Sequence, residues 1–433
     1  MIATLIISII TCVLLILSIL FLPKIKINNF EMSTFWIVSL LGAIAILVFS
    51  DLSILEVFKG ITSNSAINPI KILIIFFSMT ILSIFLDEVG FFQFVATLLI
   101  NRCKTNQKTL FLMLYVLVSF LTIFTSNDIV ILTFTPFICY FAKNTKINPI
   151  PYLVAEFAAA NTWSMMLIVG NPTNIYLGSF ANINFIDYLD VMFLPTVCAG
   201  VFQLVLMTIL FYKQLKKPIS LEKTHVKVKS KLDLAFGLGH LLACIILLVV
   251  SSYLNVQMWI ICIICASSLI ISITSSRLIR HKKLKILLKT FKRLPYELIP
   301  FVLSMFIIVL SLNKHGVTNH ISNLLGDDNI ILKYGITSFL SCNLINNIPM
   351  SVMFASIPSF ANQLDYYKAI YSIIIGSNIG AFLTPIGALA GIMFTDLLNR
   401  QQVKYGFKTF ITYGLIISIP TLLIALLGLF ISL

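Results

Sequence analysis

Four clusters of polar residues interrupt long apolar stretches of the sequence, and they are rich in the Asn, Gly and Pro residues that break helices. The clusters comprise residues 125–128, residues 161–162 with 170–174, residues 341–349, and residues 376–380 with 384–387. A helix that breaks in lipid leaves backbone groups unpaired, which costs several kcal/mol for each group unless protein or a polar cavity satisfies them. Open helix ends of this kind bind polar solutes and ions. The four clusters therefore predict a binding site.

The side chains of these clusters that could contact a solute are mainly amides and hydroxyls. The predicted binding residues are Ser126, Asn127, Asp128, Asn161, Thr162, Gly170, Asn171, Thr173, Asn174, Asn343, Asn346, Asn347, Ser377, Asn378 and Thr384. The sequence contains no H-E-x-x-H motif, no P-loop and no Ser/His/Asp arrangement at a shared depth. We therefore predict no metal centre, no catalytic residue, no cofactor and no enzymatic activity.

Asp128 is the most informative residue of these clusters because a carboxylate at membrane depth is costly and usually marks an ion or proton path. Alignment of Asn127 with Asn347 places Ile348 at the position that corresponds to Asp128. The acidic group thus occurs in only one of the two clusters. This asymmetry predicts a single site for a coupling ion, either H⁺ or Na⁺.

The composition of the chain is that of a multi-pass membrane protein. Of 433 residues, 59% are apolar or aromatic and 11% are charged, and the mean hydropathy is +1.02. An ordinary soluble domain carries about 25% charged residues. This balance excludes a soluble globule, a disulfide-stapled scaffold and a nucleic-acid-binding module.

Ten apolar runs are long enough to predict helices that cross the membrane. They are residues 2–22, 34–50, 70–87, 151–180, 191–212, 232–251, 256–274, 298–313, 367–396 and 409–432. Two further apolar regions, 109–141 and 331–361, are interrupted near their middle, with arms of about 12 to 16 residues. Such short arms predict re-entrant helical hairpins.

The positions of the basic residues predict the orientation, because short cytoplasmic loops collect Lys and Arg. With the N-terminus outside, the predicted inner segments hold 25 of the 30 basic residues. We therefore expect a multi-pass protein of the cytoplasmic membrane with both termini outside. The net charge of +14 is then a property of the cytoplasmic face and indicates no nucleic-acid partner.

The predicted elements repeat along the chain. Residues 1–212 contain five crossings and one hairpin, residues 213–231 form a basic cytoplasmic linker, and residues 232–433 contain the same series. Because five is odd, the second repeat enters the membrane from the opposite side. We therefore predict an all-α membrane protein of two inverted-topology repeats, with broken helices meeting near the midplane, as in secondary transporters.

Several motifs of the chain resemble those of the bacterial arsenical pump membrane proteins, the arsenite/antimonite efflux permeases. They are Leu86–Phe92, Asn127-Asp128 with Thr135-Pro136, Leu167–Val169 with Asn171 and Asn174-Ile175, Phe185–Leu189, Asn346–Pro349, and Ile375–Ser377 with Thr384–Gly387. The resemblance runs almost end to end. It places the chain in an ion-transporter superfamily that also includes dicarboxylate symporters and sodium/proton antiporters. It implies proton-coupled export of trivalent arsenic or antimony hydroxides, in some systems with a separate soluble ATPase subunit.

The chain departs from the arsenite permeases at three places. Asn161 and Asn378 stand where those permeases carry Asp, and Phe382 and Leu383 stand where they carry a Lys ahead of the Thr-Pro step. These changes leave Asp128 as the main charge within the membrane.

The leading hypothesis is a secondary active transporter of a small inorganic oxyanion or metalloid hydroxide, of the arsenite efflux type. The alternative is a sodium-coupled dicarboxylate or anion symporter, or a sodium/proton antiporter, of the same superfamily. The expected partners are the lipid bilayer, the solute, a soluble ATPase subunit and a second copy of the chain.

Overall fold

The computed structural model describes residues 2–22, 24–27, 30–62, 68–102, 106–217, 228–254 and 256–433. Within this part of the chain the protein is almost entirely helical, and one short antiparallel hairpin is its only sheet. The predicted all-α class is confirmed apart from this hairpin, which pairs Lys24 with Ser33. The centre of the predicted linker, residues 218–227, lies outside the described residues.

The first half of the chain contains the hairpin strands and helices α1 to α11. Their bounds are α1 Ile2–Phe21, β1 Lys24–Ile27, β2 Phe30–Ser33, α2 Thr34–Phe49, α3 Ile54–Thr62, α4 Pro69–Val89, α5 Phe91–Arg102, α6 Gln107–Phe124, α7 Asn127–Thr145, α8 Ile150–Trp163, α9 Pro172–Phe180, α10 Phe185–Leu210 and α11 Tyr212–Leu215. Two short 3₁₀ turns, Ser164–Met166 and Ile168–Gly170, separate α8 from α9.

The second half contains helices α12 to α21. Their bounds are α12 Lys231–Leu254, α13 Met258–Ile279, α14 Lys285–Lys292, α15 Leu298–Lys314, α16 Val317–Leu325, α17 Ile330–Ile345, α18 Asn347–Ala355, α19 Gln363–Gly380, α20 Leu389–Arg400 and α21 Phe407–Ser432. The order of long and short helices resembles that of α1 to α10, except that α18 has 9 residues whereas α7 has 19.

Packing between the halves is reciprocal. Helix α2 packs against α15 and α13 packs against α4, while α7 packs against α20 and α18 packs against α9. The last long helices of the two halves, α10 and α21, pack against each other. Each of these contacts joins a helix of the first half to a helix of the second half.

Six of the described helices are long and apolar enough to cross a membrane, by length and composition alone. They are α4, α6, α10, α12, α13 and α21. Helices α15 and α16, which meet at 76°, add a seventh span if the bent pair is one crossing. The other predicted crossings coincide with the shorter apolar helices α1 and α2, or with the interrupted pairs α8–α9 and α19–α20. The structure therefore supports a multi-pass membrane protein.

The two predicted hairpins differ from expectation in length. Helices α6 and α7 have 18 and 19 residues, longer than the predicted arms, and they meet at Thr125 and Ser126. Helices α17 and α18 have 16 and 9 residues and meet at Asn346, whose φ is 72°. Helices α6 and α7 exceed the predicted arm length because both continue through polar residues at the ends away from the turn, whereas α18 is shorter than predicted.

The predicted break at residues 376–380 is wrong, because α19 continues through Gly376 and ends at Gly380. A Cβ atom at Gly376 would overlap the Ser338 hydroxyl and the Gly335 carbonyl of α17. Gly376 is therefore a packing residue that lets α17 and α19 approach closely. The chain breaks only after α19, in the segment 381–388 that includes the predicted Thr384 to Gly387.

Ion pairs join the two halves at the ends of α4 and α15. At the end of α4, Asp87 and Glu88 lie 2.7 and 2.8 Å from the Nη1 atom of Arg293, which follows α14. At the end of α15, the Nζ atom of Lys314 lies 2.8 Å from Glu56 in α3. Each pair joins one half to the other.

Candidate functional site

The break between α8 and α9 is built by residues that favour a new helix start. Asn171 caps α9, because its Oδ1 atom accepts a hydrogen bond from the Thr173 backbone N–H at 3.2 Å. Pro172 follows at the first helical position, where no N–H is needed. A Cβ atom at Gly170 would overlap the Ser164 carbonyl oxygen, so the compact turn requires glycine. The break begins at Ser164, earlier than the predicted 170–174.

Asn378 of α19 joins the second half to this break. Its Oδ1 atom accepts hydrogen bonds from Asn171 Nδ2 at 2.9 Å and from the Ser164 hydroxyl at 3.1 Å. Its Nδ2 atom donates to Asn174 Oδ1 at 2.7 Å and to the Ile374 carbonyl at 2.8 Å. Asn378 is fully buried, and these bonds use both atoms of its amide. The amide is therefore a structural link between the halves.

Asn127 begins α7 and binds Asn161 of α8. The Asn161 Nδ2 atom donates to the Phe157 carbonyl at 2.8 Å, which turns the Asn161 Oδ1 atom toward Asn127. That oxygen accepts from Asn127 Nδ2 at 3.1 Å. The Asn127 Oδ1 atom is buried and has no hydrogen-bond partner among the described residues. Since the donor side of the amide is fixed, this oxygen is a free acceptor.

In the second half, Asn343 and Asn346 fasten the start of α18 to the break after α19. Asn343 Oδ1 accepts from the Thr384 backbone N–H at 3.1 Å and from its hydroxyl at 2.7 Å. Asn346 Nδ2 donates to the Ile386 carbonyl at 2.9 Å. Both amides thus satisfy backbone or hydroxyl groups that the break leaves open.

Asn347, the first residue of α18, forms no side-chain hydrogen bond with a described residue. Its backbone N–H donates to the Gly387 carbonyl at 2.9 Å. Its buried Oδ1 atom has no partner in the described part of the chain. Asn127 and Asn347 thus each begin a helix, and each presents a buried amide oxygen that has no hydrogen-bond donor among the described residues.

Polar contacts connect the two helix starts through α19. The Ser164 hydroxyl lies within hydrogen-bond distance of the Asn161 carbonyl, at 2.9 Å, and of Asn378. On the other side, the Ser377 and Ser351 hydroxyls are 3.5 Å apart, and Ser351 donates to the Asn347 carbonyl at 2.8 Å. One network thus connects predicted residues of both halves, namely Asn127, Asn161, Asn171, Thr173, Asn174, Asn347, Ser377 and Asn378. Sequence reasoning missed Ser164 and Ser351, although both lie within or beside the polar clusters.

Asp128 lies in the first turn of α7 and is partly exposed. Its carboxylate forms no hydrogen bond or ion pair with any residue that the structure describes. The N-terminus of α7 favours a negative charge at this position. Its neighbour Ser126 precedes the helix and makes no capping bond with its side chain.

Thr162 lies away from this network. Its hydroxyl accepts from Gln203 Nε2 of α10 at 2.9 Å, and Gln203 in turn accepts from the Tyr115 hydroxyl at 3.0 Å. The structure thus gives Thr162 a role in joining α8 to α10.

Glu156 of α8 is a fully buried acid, although it lies only five residues after Pro151 at the start of the helix. Its two carboxylate oxygens lie 3.1 and 3.0 Å from the Thr135 hydroxyl of α7. The motif Thr135-Pro136 is the sequence signal that could have pointed to Glu156, because Thr135 lies where α7 faces α8.

The network is amide-rich and lacks positive charge. Within the described ranges, no Lys or Arg side chain forms a hydrogen bond or ion pair with a predicted binding residue, and no group of three His, Cys, Asp or Glu residues could hold a metal ion. The arrangement offers amide and hydroxyl dipoles, helix N-termini and one carboxylate. Such groups suit a small polar solute better than a strongly anionic one.

Comparison with known proteins matches residues 13–370 to the family model described as citrate transporter. An arsenical pump membrane protein of Escherichia coli is 26% identical over 372 residues, which cover 82% of this chain and 84% of that protein. A putative arsenical pump membrane protein of Bacillus subtilis is 24% identical over 383 residues, which cover 80% and 84%.

The fold is also similar to the crystal structure of the YdaH transporter of Alcanivorax borkumensis. The two chains share 12% identity with a TM-score of 0.55, over 99% of this chain and 97% of that one. These matches confirm the predicted resemblance to arsenical pump membrane proteins. Since the family model covers most of its length, the chain belongs to the citrate transporter family of membrane transporters.

Proposed function

We propose that this protein exports a small neutral metalloid hydroxide, of the arsenite or antimonite type, in exchange for protons. The observation that carries the proposal is the pair of buried amide oxygens at Asn127 and Asn347, which have no hydrogen-bond partner among the described residues and lie at a helix start in each half. The names of the curated relatives, which are arsenical pumps, point to the same class of solute.

The chemistry of the network favours a neutral hydroxide. Such a solute carries O–H donors that amide oxygens accept, and its own oxygens accept bonds from hydroxyl and backbone donors. A dicarboxylate would need cationic or dense dipolar anchors, and the described residues place no Lys or Arg in contact with the network. An anionic solute would also meet the carboxylate of Asp128.

Coupling is assigned to Asp128, which lies one residue after Asn127. A carboxylate without a partner at membrane depth is costly when charged. Protonation of Asp128 would remove this cost, so the solute and the proton would favour different states of the carrier. Dependence of transport on Na⁺ in place of H⁺ would contradict this assignment.

We place the protein in the cytoplasmic membrane with both termini outside, and we propose that its halves have inverted topology. The distribution of Lys and Arg supports the orientation. The reciprocal packing of α2 with α15 and of α13 with α4 supports the inversion. In this arrangement the α6–α7 and α17–α18 pairs approach the network from opposite faces.

The test is arsenite accumulation in everted membrane vesicles with an imposed proton gradient. We expect accumulation that an uncoupler abolishes and that N127A removes. N362A is the matched control, because Asn362 is an exposed cap of α19 outside the network. Absence of accumulation in vesicles that contain folded protein would overturn the proposed substrate.

A further inference from the structure

Glu156 is completely buried and has no countercharge among the residues that the structure describes. The residue is 0% exposed, and its only hydrogen-bond partner in the described structure is the Thr135 hydroxyl. None of the ion pairs of the described chain includes Glu156. A buried carboxylate with one neutral donor is costly when charged. We therefore expect Glu156 to be charged in only part of the transport cycle.

The described groups around Glu156 supply no positive charge, so protonation is the way in which its charge can be neutralised. Helices α6, α7, α10 and α19 pack against α8, and Phe394 of α20 and Phe410 of α21 pack against its Phe157. Cys139 of α7 is a titratable group close enough to interact with Glu156. Most other charged groups of these helices are engaged elsewhere or exposed: Lys108 lies over Tyr212, Lys368 pairs with Asp365, Asp187 accepts from Asn184, Arg400 pairs with Asp396, and Lys143, Asp190 and Lys408 are exposed. Asp128 of α7 is partly exposed and forms no ion pair with a described residue.

Glu156 is also coupled mechanically to the binding network. Helices α7 and α8 run antiparallel, since Asn127 binds Asn161 at one end and Thr135 binds Glu156 further along. Glu156 and Asn161 are five residues apart on α8, which is about 7.5 Å along the helix axis. On α7, Thr135 follows Asp128 by seven residues, about two turns, and shares its helix face. A movement of α7 against α8 would therefore change the surroundings of both acids.

We propose that Glu156 is a second proton-binding site of this protein, at which the carboxylate takes up H⁺ to become a neutral carboxylic acid and releases it on the other side. Thr135 is a positioning residue, because its hydroxyl donates to the charged carboxylate and stabilises it. The inference rests on the proposed function for its transport readout. A spectroscopic readout of the carboxyl group is independent of any solute.

The spectroscopic test is infrared difference spectroscopy of the purified protein in lipid during a pH titration. We expect the wild-type protein to show a carboxylic-acid C=O band that E156Q lacks and that D128N retains. Gln keeps an oxygen that accepts from Thr135 but cannot ionise, so E156Q should fold. T135V should shift the midpoint of this titration upward by about one pH unit, because the donor to the charged form is lost, whereas T135S should not. An unchanged band in E156Q would overturn the proposal.

The transport test uses E156Q in proteoliposomes, with the wild-type protein as reference. We expect E156Q to keep exchange of labelled for unlabelled arsenite but to lose accumulation driven by a pH gradient. Full gradient-driven accumulation by E156Q would overturn the proposal. If the wild-type protein moves no arsenite, the proposed function fails, and the infrared comparison still decides the role of Glu156. If E156Q does not fold, the T135V and T135S pair decides it by the presence or absence of the shift.

Discussion

Asn378 and Asn174 form a 2.7 Å hydrogen bond that joins the second half of the protein to the helix break of the first. Asn378 is the donor in this bond, and it also donates to the Ile374 carbonyl. An aspartate at this position would accept from Ser164 and Asn171 as the asparagine does. Its carboxylate, however, could not donate to the Asn174 Oδ1 atom or to the Ile374 carbonyl oxygen.

We therefore expect N378D to make the stability of the protein depend on pH. The charged aspartate would face two acceptor oxygens, which should cost about 1–3 kcal/mol, and protonation would restore one donor. The variant should be less stable than wild type at neutral pH and should recover as pH falls. Thermal unfolding in detergent across pH checks this, with N378A as the variant that has no titratable group. Equal pH profiles for N378D and N378A would contradict the prediction.

N347A should separate function from stability. Because the Asn347 side chain makes no hydrogen bond in the described structure, its removal should change the free energy of unfolding by less than about 1 kcal/mol. Transport should nevertheless fall by about tenfold or more, since one of the two free acceptors is lost.

N346A is the matched control for N347A. Asn346 donates to the Ile386 carbonyl and occupies a left-handed φ of 72°, so its replacement should lower stability by about 1–3 kcal/mol. Flux and thermal stability measured on the same preparations distinguish the two variants. A loss of stability in N347A as large as that in N346A would show that Asn347 is structural.

Most of the helices can be predicted from the sequence, whereas the contacts between them cannot. Apolar runs gave the long helices, and the Asn, Gly and Pro clusters marked the helix starts at Asn127, Pro172 and Asn347. Burial of Glu156 could not be predicted, because it depends on helices that pack around α8. The role of Gly376 is also tertiary, since a glycine in a polar run predicts a break as readily as a close helix contact.

G376A should destabilise the protein by about 1–3 kcal/mol, because the added methyl group overlaps Ser338 and Gly335 in a closely packed interface. G239A is the control, since a Cβ atom at Gly239 of α12 would meet no atom of the described residues within 4 Å. This second change should be neutral or slightly stabilising, by up to about 1 kcal/mol. Chemical or thermal unfolding measures both, and equal stabilities would refute the close α17–α19 contact.

R293A should loosen the contact between α4 and the second half. The Arg293 guanidinium is part-buried. Burial alone would lower its pKa, but the carboxylates of Asp87 and Glu88 outweigh this effect and raise the pKa. Removal of this side chain leaves two mostly buried carboxylates without their cation, which should cost about 2–4 kcal/mol. R293K keeps a positive charge and should cost less. A thermal-shift series in detergent tests the order wild type, R293K, R293A.

The Glu56–Lys314 pair should contribute to stability only above strongly acidic pH. The hydrogen bond from Lys314, aided by bonds from Ser53, lowers the pKa of Glu56 from 4.5 to about 2. A lowered pKa means that the contribution is fully present above pH 4.5 and is lost as pH falls through about 2. E56Q should therefore flatten the stability profile between these values. An unchanged acid profile in E56Q would contradict this assignment.

The most direct test of proton-coupled export is the arsenite gradient that the purified protein maintains in proteoliposomes at a fixed pH gradient and zero membrane potential. Coupled exchange predicts a steady arsenite ratio that rises about tenfold for each pH unit and each proton exchanged. It also predicts that the ratio is indifferent to sodium. Arsenite that only equilibrates, whatever the pH gradient, would contradict the account and indicate a passive channel.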